Sequence, residues 1–250
     1  IVATAPSIRV TLGEAFGMPV GTNVKGKMVT ALKHLGFAGV YDTDIAADLT
    51  IIEESQELIS RIQNGGPLPR ITSWSPGWIK CCEHNVNDFI PNPSSCEAPQ
   101  RMFGAVVKTW YAEKNNLDPH DIVVVSVMPC TAKKLEKDRK ELAVNGLKDV
   151  DAVLTTRELA KLIKRAGIRF AKLPDGRFDN DIVGEYTGAG VIFGATGGVM
   201  EAALRTASEL VTGKALDGLF LMIAEEEKKI RQDPVGSGRA VLKKVFGAIK

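Results

Sequence analysis

The sequence predicts an α/β fold built on a largely parallel sheet. Short apolar runs alternate with helix-period segments along the chain, the pattern of strand–helix–strand units. Within Ile122–Glu136, IVVVSVMPCTAKKLE, the run Val123–Val127 reads as a buried strand that must stop at Pro129, which cannot donate to a ladder. Thr156–Ala166 then reads as a strongly amphipathic helix, capped by Thr156 and ended by Gly167.

The other elements follow from the same signals. Ile1–Val10 reads as a strand broken by Pro6, and Val24–Leu35 has helical spacing and ends near Gly36. Ala38–Tyr41 is a short strand. Asp44 is a plausible N-cap for a helix over Ile45–Ile62, which Asn64-Gly65-Gly66-Pro67 stops. Pro69–Trp74 is expected as a strand, Trp78–His84 as the start of a helix, and Asn85–Pro99 as a polar, proline-rich loop. Gln100–Glu113 is expected as a helix with Met102, Phe103, Val106, Val107 and Trp110 on its apolar side. Thr131 is placed to cap a helix beginning at Lys133–Glu136, and Asp149–Leu154 reads as a strand. Phe170–Asn180 is expected as loop, Gly184–Gly198 as a glycine-rich segment, Val199–Thr212 as a helix, and Leu216–Lys229 and Ala240–Lys250 as charged helices. A break near Asn115 divides the chain into a first lobe over 1–115 and a second over 116–213, with a charged helical tail over 214–250.

Composition bounds the function. With 250 residues and 44% hydrophobic content the chain can bury a sizeable core. A net charge of +2 gives no electrostatic reason for a nucleic-acid or membrane partner. No apolar run approaches the roughly 18 residues of a membrane span, and Ile1–Val10 lacks the basic start of a signal peptide. The chain opens on Ile1 rather than Met, as a piece of a longer protein would. Its four cysteines, Cys81, Cys82, Cys96 and Cys130, suggest a reducing, cytoplasmic context rather than a disulfide framework.

Several residues invite chemistry, each with a plainer reading beside it. Cys130 sits between a strand end and a helix start, where the helix dipole and Lys133 favour a thiolate; it reads either as a ligand or as a small buried hydrophobe. Glu54, Glu57 and Arg61 have the spacing of an ordinary solvated helix face. Cys81, Cys82, His84 and Cys96 lack zinc-site spacing and read better as buried thiols. Gly194-Ala195-Thr196-Gly197-Gly198 before a helix is a poor match to a dinucleotide fingerprint, since neither the third glycine nor the acidic partner is in place.

The stretch Met128–Glu136, MPCTAKKLE, resembles the second signature of the iron-only (FeFe) hydrogenase catalytic domain. The resemblance implies that Cys130 binds the cubane part of the H-cluster, a 4Fe-4S unit joined to a diiron centre, and that Lys133 holds the diiron part, with Met128 and Pro129 beside it. Ala5, Pro6 and Ser7 match the family's opening segment, which lines the diiron pocket, and Glu54, Glu57, Arg61 and Ser94 fall where its proton-transfer chain lies. Gly184–Arg205 is similar to the segment after the second signature. The implied fold is a two-lobed, FeFe-hydrogenase-like domain of mixed or parallel sheets flanked by helices, incomplete at its C-terminus. The implied activity is reversible proton reduction with electrons from ferredoxin or an NAD(P)-linked module.

The chain also departs from the family pattern. Ile71–Trp78, ITSWSPGW, matches the first signature at Thr72, Ser73, Pro76 and Trp78, but its two cysteine positions hold Trp74 and Ser75. Serine is a poor iron ligand beside a thiolate, and tryptophan neither ligates nor shuttles a proton. No cysteine follows Cys130, so the third signature is absent, and the resemblance ends near Leu210, where the tail replaces the family's last part. Of four cubane ligands, Cys130 alone remains. The expectation is an impaired or inactive hydrogenase-like protein; the alternative is a non-catalytic scaffold or regulatory module of the same fold, with a partner at the helical tail.

Overall fold

Four short strands, β1 (Val2–Thr4), β2 (Val40–Asp42), β3 (Val125–Val127) and β4 (Ala152–Leu154), form a sheet in the order β2-β1-β3-β4 in the computed structural model. Residues 1–139, 146–182 and 186–213 are described. All pairings are parallel, with Val2 opposite both Val40 and Val125. β1, β2 and β3 are buried at every position, so apart from Asp42 at the end of β2 they carry apolar or small polar residues without strict alternation, as strands covered on both faces do.

The pleat still sorts side chains by face. Val2, Val40, Val125, Val127 and Val153 join Ile8, Leu12, Met28 and Leu32 from α1 (Ile8–Thr11), its following turn and α2 (Lys25–His34), together with Leu159 and Ile163 from α8 (Thr156–Arg165). Ala3, Tyr41 and Val124 face Ile45 and Ala46 of α3 (Asp44–Asn64) and Phe103 and Val107 of the helix that begins as α5 (Pro99–Val106). Each fully buried large apolar side chain contributes about 1.5–3 kcal/mol, and helices on both faces follow from that demand. Gly104 lets α5 approach the chain leading to β4: a Cβ there would lie 2.1 Å from the Asp149 carbonyl oxygen.

Most expected helices form within a few residues of their expected ends, and Gly65 stops α3 in the left-handed region at φ +72°. Several expectations are overturned. Beyond Pro6 the chain turns helical at Ile8 instead of continuing a strand. Pro69–Trp74 makes only an isolated bridge from Ile71 to Pro93, because Arg70 turns inward to the carboxylates of α3. The helix over Gln100–Glu113 contains a π-helical turn at Val107–Tyr111 before α6 (Ala112–Lys114). The extra residue rotates Trp110 off the buried side, leaving it exposed under the Lys114 ammonium at 4.5 Å. The N-cap of α3 is Thr43, not Asp44, and that of α8 is Thr155, not Thr156; Thr155 and Glu158 complete a capping box. Thr131 holds the cap position of α7 (Ala132–Glu136), but its hydroxyl makes no capping bond.

The chain divides into two units, Ile1–Ala203 and Leu204–Lys250. The sheet draws two strands from each side of Asn115. Of the second unit, residues 204–213 are described, all but the last within α9 (Gly198–Thr212). The expected tail helices lie outside the described residues.

Candidate functional site

From β1 the chain crosses to β2 on one side, and from β3 it crosses to β4 on the other. The C-terminal ends of β1 and β3 are therefore a topological switch point, where an open parallel sheet leaves a crevice. Ala5 N–H still bonds the Val127 carbonyl at 3.0 Å, and the two chain segments then part. Ala5, Pro6 and Ser7 leave on one side and Met128, Pro129 and Cys130 on the other, and all six line one cavity of ≈ 710 Å³. Trp74, Gln100, Lys133, Gly190, Phe193 and Gly194 complete most of its wall.

The wall is mostly apolar, and its charged groups are already paired. Lys133 Nζ donates to the Trp74 carbonyl at 2.7 Å and meets Glu136 at 2.8 Å. Burial pulls the Lys133 ammonium below its usual range, against the opposing pull of Glu136. Arg9 bridges Asp42 at 2.8 Å and Asp44 at 3.3 Å. Burial and the neighbouring Asp44 push Asp42 up to about 6 despite Arg9. The Trp74 ring lies 4.7 Å from the Phe193 ring, centroid to centroid. Ser75 spends its hydroxyl as N-cap of α4 (Pro76–Asn85), accepting from Trp78 N–H at 3.3 Å. Cys130 is exposed at the cavity.

Glu54, Glu57, Arg61 and Ser94 meet in a second, contiguous group. They are not a solvated face: Glu54 is fully buried and ion-paired to Arg70 at 2.5 Å. Arg70 also reaches Glu57 at 3.4 Å. Glu57 accepts from Arg61 at 2.7 Å, from Ser95 N–H at 3.1 Å and from the Ser94 hydroxyl. Burial pushes both carboxyls up. At Glu54 it prevails over Arg70; at Glu57 the Ser94, Ser95 and Arg61 donors prevail and carry the group down to about 2. One buried carboxyl raised beside another lowered is the arrangement that separates acid from base roles.

The fold brings together two sets of residues that the sequence singles out: Ala5, Pro6, Ser7, Met128, Pro129, Cys130 and Lys133 at the cavity, and Glu54, Glu57, Arg61 and Ser94 beside one another. Sequence reasoning missed Arg70, Gln100, Phe193 and the Arg9–Asp42–Asp44 group; Arg70 and Gln100 carry no local signal, because long-range packing selects them. Cys82 is buried and Cys96 half-buried, with Cys96 Sγ 3.7 Å from Glu57 and its thiol pushed up by burial to about 11. Neither lines the cavity, and His84 is exposed. Among the described residues, no three His, Cys, Asp or Glu side chains converge where they could hold a metal ion. The described residues therefore do not fit a four-thiolate iron–sulfur cluster: among them Cys130 stands without a second thiolate at the cavity, and the signature positions hold an indole and a committed hydroxyl.

Comparison with known proteins identifies the family. The family model "Iron only hydrogenase large subunit, C-terminal domain" matches residues 1–247, past Leu210, where the motif resemblance ended. The chain is 54% identical over 222 residues to the NADP-reducing hydrogenase subunit HndD of Solidesulfovibrio fructosivorans, covering 86% of this chain and 38% of that one. The solved structure of the FeFe-hydrogenase HydA(deltaEFG) superposes with a TM-score of 0.75 at 46% identity, over 86% of this chain and 53% of that one. A more distant similarity, 29% over 233 residues, is to the cytosolic Fe-S cluster assembly factor narfl of Danio rerio, over 88% of this chain and 55% of that protein. The chain spans 38% to 52% of the length of the bacterial hydrogenases it matches. Among the described residues no helix is long and apolar enough to cross a membrane.

Proposed function

Because this chain belongs to the iron-only hydrogenase family, matching the C-terminal domain of its large subunit, we propose that it is a hydrogenase-like domain whose own residues do not sustain hydrogen turnover. The observation that carries this reading is the pair at the first signature. Trp74 occupies the cavity wall against Phe193, and Ser75 is committed to capping α4. The family reaction, reversible proton reduction at an H-cluster, needs thiolates where these two residues stand. The Glu54–Glu57–Arg61–Ser94 group keeps the layout of a proton path, yet the first-signature position it would serve holds Trp74, whose indole cannot relay a proton.

In this reading Lys133 and Cys130 are remnants of the cofactor site, and Ala5, Pro6, Ser7, Met128 and Pro129 keep its shape. A ferredoxin or NAD(P)-linked module is the redox partner that the family implies, and the cytoplasm is the compartment suggested by the free cysteines. No nucleic acid or membrane partner is proposed. The test is iron and acid-labile sulfide per chain after anaerobic purification with cluster-maturation proteins present. The expected result is less than about one iron per folded chain; near-stoichiometric cubane iron, about four per chain, with hydrogen evolution would overturn the reading.

A second reading, a non-catalytic scaffold or regulatory module, is favoured by the likeness to the assembly factor narfl. It predicts the same iron content but a stable protein partner, bound by residues 214–250.

A further inference from the structure

We propose that the cavity between the ends of β1 and β3 binds a small, flat, uncharged organic molecule that carries one hydrogen-bond donor. This inference rests on the preceding reading, that no cluster fills the cavity.

Its volume, ≈ 710 Å³, lies in the range of small-molecule sites. Its wall offers an aromatic corner, the tilted Trp74–Phe193 pair, against which a flat ring can stack. At Gly194 a built Cβ would meet nothing within 4 Å, so the wall stays open on that side. Gln100 supplies the second, independent observation. It lines the cavity at 2% exposure, and its amide nitrogen is fixed by Glu136 Oε2 at 2.5 Å. That bond fixes which end of the amide is which, and Oε1 is left without a partner. A buried acceptor without a donor is unfavourable, and a ligand's N–H or O–H would satisfy it. The Thr43 hydroxyl, also in the wall and buried, is likewise without a partner. An anion has little to gain here: Lys133 is paired with Glu136, and Arg9 is shared by Asp42 and Asp44.

The test titrates the full iron-free chain with indole by calorimetry, alongside N-methylindole, which keeps the ring and lacks the donor. Expected are saturable indole binding, ~5-fold or more weaker binding of N-methylindole, and loss of that difference in Gln100→Leu. Trp74→Ala, which removes the aromatic corner, should weaken binding of both while the fold persists. Absence of indole binding to the iron-free chain, equal binding of the two probes, or undiminished binding in Trp74→Ala would overturn the inference. Stoichiometric iron on the same preparation would instead overturn the functional reading beneath it, so the two failures are distinguishable.

Discussion

Lys133 donates from its ammonium to the backbone carbonyl of Trp74 at 2.7 Å, tying the turn after β3 to the loop that leads into α4. Both loops border the same cavity, so this bond sets how its two walls face each other. Lys133→Met keeps the apolar stem but leaves the Trp74 carbonyl without its donor and Glu136 without its cation. The expected loss is about 1–3 kcal/mol of unfolding free energy, read from urea midpoints at constant slope. A change below about 0.5 kcal/mol would mean that the bond does not hold the walls.

Arg70 stands between Glu54 and Glu57, with both its side chain and that of Glu54 1% exposed. Removing one partner of such a pair strands the other charge. Arg70→Met should therefore cost about 3–5 kcal/mol. Adding Glu54→Gln should recover much of that loss, because the stranded carboxylate is gone. The two changes measured singly and together give the coupling; simple additivity would refute the pairing.

Asp42 and Glu57 predict opposite pH behaviour. The Asp42 carboxyl is raised from 3.8 to about 6 in the folded chain. The folded state then holds the proton more tightly than the unfolded one, so its contribution is fully present below about 3.8 and lost as pH rises through about 6. Glu57 is lowered from 4.5 to about 2, so its contribution is present above about 4.5 and lost as pH falls through about 2. Asp42→Asn should gain on the parent between pH 4 and 6, by roughly 3 kcal/mol at most. Glu57→Gln should lose on the parent between pH 2 and 4.5, by a similar upper limit. Chemical denaturation across pH 2–8 checks both, and parallel curves for parent and variants would refute the assignments.

How far the sequence leads depends on the range of the signal. The apolar run at Val123–Val127, the stop at Pro129 and the Gly65 terminator are local, and each marks a feature that forms, although the strand takes only Val125–Val127 and Val123 is exposed. The Pro69–Trp74 stretch misleads because its apolar pattern is local while the fate of Arg70 is decided by α3, reached across thirteen residues or more. Trp110 falls on the other side from the one expected because a π turn changes helical phase without a sequence mark of its own. The cavity residues are legible through the MPCTAKKLE resemblance, whereas Gln100 and Phe193 take their places through tertiary packing alone.

Trp74→Cys with Ser75→Cys puts two thiols where the cavity wall now carries an indole and the adjoining residue caps α4. The variant loses the Trp74–Phe193 contact, worth about 0.5–1.5 kcal/mol beyond burial, and the Ser75 cap of α4, worth about 1 kcal/mol. Its thermal midpoint should fall by several degrees. Its capacity for iron should rise, because sulfur donors select iron–sulfur units where a hydroxyl does not. After anaerobic reconstitution with iron and sulfide, iron and labile sulfide per folded chain should exceed the parent several-fold. Cys130→Ala in the same background should remove most of that gain, since Cys130 is the thiol that already lines the cavity. If the folded double variant takes up no more iron than the parent, the indole and hydroxyl are not what keeps the cluster out.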